Sequence, residues 1–478
     1  MTSHIQDILF PYQKEDVARF HQDIPRGIIG SDMGTGKTEE FLAICDILQA
    51  SRVLIVATKT MVLEWKARIA LRLGEVAGVP DGVEEGKYTR YSLSLEHFKN
   101  FRYLIINHEM LRMERYIKVL KLIPWDVIGI DEAHRFTNHR ARHPNQKRVR
   151  GPKGSRQVWG ARQLATISTR FYWITGTPFL NYPDELWGLL HLLYPEQYPN
   201  YYTFVGDYCI TVPTHWGFRV VGPRKQRTEE LREKLHAVMI RHEKSEVMPW
   251  LVKLPPRDIP LQMSGPQLQV YQEMEVDFVA HLRSGIDLFA KSSLAQLMRL
   301  RQIALDPAIL GIEAPSAKTT ALLDILKDLN QSIVVFSWFS SYLNYLYGLL
   351  DQDECSIITG LQDTAERHRT IKHFQAGKSR ILLASIKAGG EGIDLTAASV
   401  CLFTDVTWVP GDSKQAEDRL HRYGQTSAVT VLRLLHPNTI DEDMHKVNKR
   451  KAKAFTEIVA IREAIDSMTQ RQQVGVLT

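Results

Sequence analysis

Residues 30–40 are GSDMGTGKTEE, and the interpretation of the whole chain starts from this stretch. Three glycines, a lysine and a hydroxyl residue stand directly before an apolar run. The pattern is close to the phosphate-loop template G-x-x-x-x-G-K-[S/T], with Ser31 at the first template position. In such a loop the backbone N–H groups point inward at a helix N-terminus and bind phosphate oxygens. The sequence therefore predicts a phosphate cradle made of Gly34, Thr35, Gly36, Lys37 and Thr38.

Two side chains of this loop have specific roles in the prediction. Lys37 is expected to reach the β and γ phosphates of ATP, and the Thr38 hydroxyl is expected to ligate Mg²⁺. ATP and Mg²⁺ are thus the predicted cofactors. Taken alone, the stretch is also compatible with a flexible glycine turn that only caps a helix.

A second stretch, VIGIDEAH at 127–134, supplies two adjacent carboxylates after an apolar strand. A strand that delivers Asp131 to its carboxyl end places that carboxylate beside Mg²⁺. Glu132 then lies next to the γ-phosphate, where it can polarise the attacking water as a general base. The alternative is that the two acids cap the following helix.

The composition is that of a folded protein with more than one domain. The chain has 478 residues, of which 44% are hydrophobic and 24% charged, and its formal net charge is +6. That length is about three times the size of a usual domain. The four cysteines form no CxxC pair, which favours reduced thiols in a cytosolic type of compartment over a zinc site. The sequence shows no signal-peptide pattern and no apolar run that approaches 18 residues, so no membrane partner is expected.

Short β-branched runs alternate with helical patterns in two series. The first series comprises the runs at 52–58, 103–108, 127–131 and 171–177. The second comprises the runs at 332–337, 355–360, 380–385, 399–405 and 429–435. Nearly continuous apolar strands of this kind are typical of parallel sheets that are covered on both faces. The sequence therefore predicts an α/β protein with two lobes.

The predicted boundaries follow from where the alternation pauses. The N-terminal lobe is expected at 1–247, with a mostly helical insertion at about 183–245. A proline-marked linker is expected at 248–262. The C-terminal lobe is expected at 263–478, with a helical insertion at about 266–305 and a C-terminal helix at 440–470.

The GTGKT and DEAH stretches together resemble the superfamily 2 helicases and translocases, and the chain as a whole resembles the Swi/Snf-type ATPases among them. The stretches that carry the resemblance follow one another in the family's motif order over almost the whole chain. They are LFPYQKEDVARF (9–20), ATKTMVLEWKARI (57–69), LIINHEMLR (104–112), ITGTPFLNYPDELWGLLHLLYP (174–195), LMRLRQIALDPAIL (297–310), IVVFSWFSSYLNYL (333–346), LLASIKAGGEGIDLTAAS (382–399) and DVTWVPGDSKQAEDRLHRYGQ (405–425). One departure is Ala133, where the family usually has glycine between the glutamate and the histidine.

The resemblance implies two tandem RecA-like lobes and further site residues. Gln13 is expected to bind the adenine, and Gly392 and Asp394 are expected at the nucleotide, with a plain loop as the alternative. The spacing of Arg419 and Arg422 suggests that both lie on one face of a helix. Arg422 is then the expected arginine finger for the γ-phosphate, and Arg419 supports it. The alternative is a solvated basic helix.

A basic segment predicts where nucleic acid binds. Residues 139–156, HRARHPNQKRVRGPKGSR, hold seven Lys or Arg and no acid, which favours contacts to phosphates over a solvated insertion. The predicted contacts are Arg140, Arg142, Lys147, Arg148, Arg150 and Lys153. A second cluster at 446–454 fits a phosphate contact and a plain charged face equally well. Trp65, Trp338 and Trp408 are expected to pack in the core rather than to stack on bases.

Together these features predict an ATP-dependent translocase that moves on duplex or forked DNA, with RNA as an alternative substrate. Because no accessory module flanks the motifs, the expected role is in replication, recombination or repair of a bacterial or viral genome. The expected compartment is the cytoplasm of a bacterium or of an infected host cell rather than a nucleus. The alternatives are a strand-separating superfamily 2 helicase, a non-catalytic nucleotide-gated DNA clamp, and a helper subunit of a restriction or nuclease system.

Overall fold

The computed structural model describes residues 5–80, 82–85, 88–91, 100–138, 155–179, 182–214, 217–277, 279–281, 287–289, 293–386 and 394–459. The chain forms two compact units. The first is Met1–Val247 together with Lys451–Thr478, and the second is Met248–Arg450.

The first unit is an α/β structure. Its helices are α1 (Ile5–Ile8), α2 (Pro11–Gln22), α3 (Lys37–Ile47), α4 (Met61–Leu73), α5 (Glu114–Leu120), α6 (Arg156–Ala165), α7 (Glu185–Leu193), α8 (Tyr201–Tyr208), α9 (Thr228–His236) and α10 (Lys244–Val247). Its strands are β1 (Arg26–Ile29), β2 (Val53–Ala57), β3 (Gly82–Glu85), β4 (Tyr88–Tyr91), β5 (Tyr103–Asn107), β6 (Val127–Asp131), β7 (Arg170–Ile174), β8 (Cys209–Thr214), β9 (Gly217–Pro223) and β10 (Met239–Ile240).

The main sheet of the first unit has six parallel strands in the order β10-β1-β7-β6-β2-β5. Successive residues of β2 belong to two different apolar clusters, with Leu54 and Val56 in one and Val53 and Ile55 in the other. The sheet is therefore buried on both faces, which is why its strands are continuous apolar runs.

The second unit repeats this plan. Its helices are α11 (Gly265–Asp277), α12 (Ser293–Leu305), α13 (Ala317–Asp328), α14 (Ser340–Leu349), α15 (Thr364–Gln375), α16 (Pro410–Leu420) and α17 (Ile440–Val459), of which the residues from Lys451 onward belong to the first unit. Its strands are β11 (Arg257–Pro260), β12 (Val279–His281), β13 (Asp287–Phe289), β14 (Ile333–Ser337), β15 (Cys355–Ile358), β16 (Ile381–Ser385), β17 (Val400–Phe403) and β18 (Thr430–Leu435). Six of the strands form a parallel sheet in the order β11-β18-β17-β14-β16-β15. The predicted fold class, two α/β lobes with parallel sheets, is confirmed.

Some segments differ from the sequence-based expectation. The predicted linker contributes β11 to the edge of the second sheet. Pro260 is tolerated there because, among the described strands, one side of β11 has no neighbour. The two predicted helical insertions each contain an antiparallel strand pair, β8 with β9 and β12 with β13. Helix α17 covers the predicted C-terminal helix as far as Val459, and residues 460–470 lie outside the described part of the chain.

Cys45, Cys209, Cys355 and Cys401 are all buried, and none of them forms a disulfide. Within the described residues, no helix combines the length and the apolar character that crossing a bilayer requires.

Candidate active site

The register of the first sheet brings three predicted motifs to one edge. Ile29 of β1 and Asp131 of β6 both pair with Ile174 of β7, and the three strands run parallel. The phosphate-loop stretch follows β1, Thr175-Gly176-Thr177 follows β7, and Asp131 ends β6. The carboxyl edge of this sheet is therefore where the candidate site lies.

The loop before α3 has the backbone of a phosphate cradle. Gly34 and Gly36 have φ angles of 81° and 91°, in the left-handed region that favours glycine. A Cβ on Gly36 would meet the Gln13 side-chain nitrogen at 2.5 Å, so a side chain there would displace the Gln13 amide. Helix α3 then begins at Lys37.

The backbone N–H groups of this loop are free to bind a ligand. Among the described residues, the N–H groups from Gly34 to Thr38 have no hydrogen-bond acceptor, and neither does the Thr38 hydroxyl. A row of unpartnered N–H groups at the start of a helix fits the phosphates of a nucleotide. The free hydroxyl of Thr38 and the carboxylate of Asp131 are oxygen ligands of the kind that Mg²⁺ prefers.

The Lys37 ammonium is held against the loop itself. Its Nζ donates to the backbone oxygens of Ser31 and Asp32, both at 2.8 Å. Burial lowers the pKa of Lys37 to about 8, although nearby carboxylates, above all that of Glu132, act in the opposite direction. The Lys37 ammonium is thus poorly solvated, and this favours its pairing with an anionic ligand.

Asp131 is oriented by three neighbours. Trp65 Nε1 donates to Asp131 Oδ2 at 3.0 Å, and the backbone N–H of Glu132 donates to Oδ1 at 2.8 Å. His108 Nε2 lies 3.0 Å from the Asp131 backbone oxygen. Burial and the Glu132 carboxylate raise the pKa of Asp131 to about 6. Trp65 is fully buried, as expected, but its N–H also makes it a partner of the candidate metal ligand.

Glu132 has a strained backbone. Its φ and ψ are both 52°, a left-handed conformation that is uncommon outside glycine, asparagine and aspartate. Strain of this kind is concentrated at functional sites. The Glu132 Oε2 lies 3.3 Å from His134 Nδ1, and burial lowers the pKa of His134 to about 4, so His134 is a neutral neighbour at pH 7.

Gln13 lies against the phosphate loop. Its Nε2 donates to the backbone oxygens of Thr35 and Gly36, both at 3.2 Å, and its Oε1 accepts from the Phe10 N–H at 2.9 Å. Gln13 is buried, and so is Glu40 on α3, whose pKa is raised to about 8 by burial and then by Asp16. The side-chain amide of Gln13 therefore braces the loop, and its role at an adenine stays a prediction.

Arg241 is a site residue that the sequence analysis missed. Its Nη2 donates to Asp32 Oδ1 at 2.6 Å, and its Nη1 donates to the backbone oxygens of Gly30 at 2.7 Å and of Gly176 at 3.1 Å. It therefore joins the phosphate loop to the loop after β7. A Cβ added to Gly176 would lie 3.4 Å from Lys37 Nζ, which places this second loop beside the lysine.

His242 fixes the same strand end. Its backbone oxygen accepts from the Asp32 N–H at 3.0 Å, and its N–H donates to Ser31 Oγ at 3.2 Å. Its ring lies 2.9 Å from a carboxylate oxygen of the buried Asp16. Neither Arg241 nor His242 stands in a quoted motif, and only their place after the short strand β10 identifies them.

In the second unit, the structure corrects the predicted placement of the two arginines. Helix α16 ends at Leu420, so Arg419 is helical and Arg422 lies in the turn beyond it. The helix cannot continue because His421 has ψ 72° and Gly424 has φ 98°. Arg419 is buried, and its backbone oxygen accepts from the Leu395 N–H at 2.9 Å. The prediction that both lie on one helix face is wrong.

Arg422 instead forms an ion pair with Asp394, and both side chains are partly exposed. The structure thus brings together two residues that the sequence analysis named separately. Gly392 and the six predicted nucleic-acid contacts Arg140, Arg142, Lys147, Arg148, Arg150 and Lys153 lie outside the described residues.

Two protein families match the chain. The SNF2-related domain matches residues 12–309, and the helicase conserved C-terminal domain matches residues 317–424.

Two curated proteins and one solved structure illustrate what this chain is similar to. An uncharacterized ATP-dependent helicase of Mycoplasma pneumoniae is 26% identical over 445 residues, which are 89% of this chain and 39% of that protein. The DNA annealing helicase and endonuclease ZRANB3 of Mus musculus is 26% identical over 471 residues, 93% of this chain and 40% of that protein. The chain thus spans about two fifths of the length of these relatives. Among solved structures, the Sulfolobus solfataricus SWI2/SNF2 ATPase core in complex with dsDNA has 21% identity and a TM-score of 0.41, covering 96% of this chain and 94% of that one.

Proposed function

Because the chain belongs to the SNF2-related family of superfamily 2 helicases, we propose that it is an ATP-dependent translocase that moves on DNA. One observation carries the proposal. The unpartnered N–H groups from Gly34 to Thr38 lie at the same sheet edge as Asp131 and Glu132. A phosphate cradle next to paired carboxylates is the arrangement that phosphoryl transfer needs.

The proposed roles in hydrolysis follow the chemistry of each side chain. Lys37 binds the β and γ phosphates, and Glu132 polarises the attacking water. Thr38 and Asp131 hold Mg²⁺, which neutralises charge on the phosphates. Arg422 supplies the guanidinium that stabilises the transition state, and Arg419 supports it. Gln13, Gly392 and Asp394 complete the nucleotide site.

DNA is the proposed substrate because ZRANB3, a relative that matches almost the whole chain, is named as a DNA annealing helicase. Duplex or forked DNA is favoured, and the basic segment at 139–156 remains the proposed phosphate contact. We place the activity in replication, recombination or repair of a bacterial or viral genome, in the cytoplasm. We also propose that the predicted linker, 248–262, connects the two lobes along the sequence.

The proposal is tested by ATP hydrolysis of the wild type, Lys37→Ala and Glu132→Gln. Each is assayed without nucleic acid and with single-stranded DNA, blunt duplex DNA, forked DNA and RNA. We expect stimulation by DNA in the wild type and its loss in both variants. Glu132→Gln should still bind ATP but hydrolyse it about 10²–10⁴-fold more slowly, since it lacks the general base.

Lys118→Ala is the matched control, because Lys118 is an exposed lysine of the same unit whose one ion pair among the described residues is with Glu114. It should hydrolyse ATP like the wild type. Stimulation by RNA alone would move the substrate to RNA. ATP binding without turnover under any condition would replace the translocase with the nucleotide-gated clamp.

A further inference from the structure

An antiparallel hairpin interrupts the second half of the first unit. It consists of β8 and β9, with Thr211 paired to Val220 and Pro213 paired to Phe218. Cys209 and Val220 are buried in the main apolar cluster of the unit, so the hairpin is anchored at these points. The other residues of the two strands described by the structure are exposed or only partly buried.

The hairpin exposes large apolar side chains. Ile210 is 48% exposed, Phe218 40% and Val221 39%, and Tyr202 on the neighbouring helix α8 is 56% exposed. The rings of Tyr202 and Phe218 meet edge to face with their centroids 6.1 Å apart. Exposed apolar and aromatic side chains on the hairpin and on the helix that precedes it indicate a surface that a partner covers.

The same hairpin is basic. Residues 209–227 contain four arginines or lysines and no acid. Three of these cations, Arg219, Arg224 and Lys225, are exposed, and their side chains have no hydrogen bond or ion pair among the described residues. By contrast, the neighbouring cations Arg227, Arg232 and Lys234 each pair with a glutamate. The hairpin therefore carries positive charge that no described side chain neutralises.

We propose that this hairpin, residues 209–214 and 217–225 with Tyr202, binds a single-stranded segment of the DNA substrate. This inference deepens the proposed function, because it assigns a substrate geometry to the translocase. The unpaired cations contact backbone phosphates, and Phe218 and Tyr202 pack against unstacked bases. Arg219 lies on β9, and Arg224 directly follows that strand with an extended backbone. Five extended residues span about 17 Å, so the surface covers more than one nucleotide.

The combination of groups favours single-stranded over duplex DNA. A duplex presents its phosphates outward and keeps its bases stacked, so it would satisfy the cations but leave the apolar side chains exposed. A single strand offers both phosphates and base faces. The excess of positive charge in turn favours a polyanion over a neutral apolar protein surface.

The test uses the full chain and fluorescein-labelled oligonucleotides: a dT25 single strand, a blunt duplex and a fork. In the charge variant R219A/R224A/K225A, dT25 binding should weaken about a hundredfold at 0.1 M salt. The plot of log affinity against log salt should become less steep by about 2, since each single-strand phosphate contact contributes roughly 0.7. In Phe218→Ala, dT25 binding should weaken about tenfold, with blunt duplex binding unchanged.

Two controls are matched to these variants. R112A/K118A/K121A removes three exposed cations from the same unit, all of which have side-chain partners. Leu71→Ala removes a side chain that is 71% exposed on α4. Both should bind dT25 like the wild type, and thermal melting should show that every variant is folded.

The outcomes separate this inference from the proposed function. The inference is supported if the hairpin variants lose dT25 and fork binding and the two control variants do not. Wild-type affinity in both hairpin variants overturns it and leaves the surface to a protein partner. An equal loss in R112A/K118A/K121A also overturns it, because general charge would then explain the binding. The proposed function fails separately, if DNA does not stimulate ATP hydrolysis by the wild type.

Discussion

The Arg241 side chain holds the phosphate loop from outside every motif in the sequence. Its ion pair with Asp32 is nearly buried, with side-chain exposures of 7% and 12%. Removal of one partner from such a pair costs about 3–5 kcal/mol, because the other charge stays buried. We therefore expect Arg241→Gln to lower the free energy of unfolding by about 3 kcal/mol. It should also lower kcat/KM for ATP by roughly a hundredfold, because a displacement of about 1 Å in the catalytic groups reduces the rate by that factor.

Urea unfolding and steady-state kinetics of Arg241→Gln, Asp32→Asn and the double variant measure this coupling. The double variant should lose less than the sum of the two single variants, because no unpaired charge is left. If the losses simply add, Arg241 acts through its bonds to the backbone oxygens of Gly30 and Gly176 instead.

A second prediction concerns the Trp65 N–H, which donates to Asp131 Oδ2 at 3.0 Å. Trp65→Phe keeps most of the buried ring but removes the donor. Because partners of metal ligands contribute 10–100-fold to metal affinity or activity, the Mg²⁺ concentration for half-maximal ATP hydrolysis should rise about tenfold. Trp125→Phe is the control, since that buried N–H donates to the Leu120 backbone oxygen, away from the site. An equal rise in both variants would contradict a specific role for Trp65.

The residues that could be predicted are those whose chemistry is local in sequence. Lys37 and Thr38 follow glycines that only a tight loop needs, and Asp131 ends a strand that is visible as an apolar run. Arg241 could not be found in this way, because it is 209 residues from Asp32 and only the sheet brings them together. Trp65 was expected in the core, but its hydrogen bond to Asp131 could not be predicted, because it depends on where β6 places that carboxylate.

At the scale of elements, the end of helix α16 separates two arginines that the sequence grouped. Arg422 lies beyond the helix in a partly exposed pair with Asp394, with side-chain exposures of 27% and 44%. Such a pair contributes about 0–1 kcal/mol to stability. We therefore expect Arg422→Lys to change the free energy of unfolding by less than about 1 kcal/mol. If Arg422 is the arginine finger, kcat should nevertheless fall by about 10³-fold.

Arg419→Lys is the comparison, because Arg419 is buried within the helix. It should lose stability by about 1–3 kcal/mol, since burial leaves little freedom to place a different cation. Saturating-ATP turnover and thermal melting of both variants give the two readouts. A normal kcat in Arg422→Lys together with a large loss of kcat in Arg419→Lys would reassign the finger to Arg419.

The strands found from sequence coincide with clear apolar runs, and those missed are short, as β1 and β10 are, or marked by proline, as β11 is. β2, β6, β14 and β16 each have five residues, and all but Asp131 are buried. β10 has only two residues, and β11 ends in Pro260, so neither gives a clear apolar run. The β8–β9 hairpin has a sequence signal, because its β-branched residues flank a glycine. The helical patterns on both sides of it nevertheless favoured a helical prediction for the whole segment.

At the scale of the whole molecule, the chain contains two units with separate apolar cores. The clusters around β2 and β6 belong to the first unit, and those around β14 and β16 belong to the second. In the second unit Lys318 is fully buried and pairs with Asp441 at 2.6 Å, while its Nζ also donates to the Thr404 backbone oxygen at 2.8 Å. This pair joins the start of α13 to the start of α17.

We expect calorimetry to show two unfolding transitions, and Lys318→Met to lower only one of them. The substitution leaves Asp441 buried without its cation, a loss of about 3–5 kcal/mol, which corresponds to about 10 °C for a unit of this size. Arg26→Met is the corresponding variant in the first unit. The Arg26 guanidinium donates to four backbone oxygens, among them that of Ser168 at 2.8 Å. It should lower the other transition, because those oxygens lose their donor. If both variants shift a single transition together, the two cores unfold as one cooperative unit and this division is wrong.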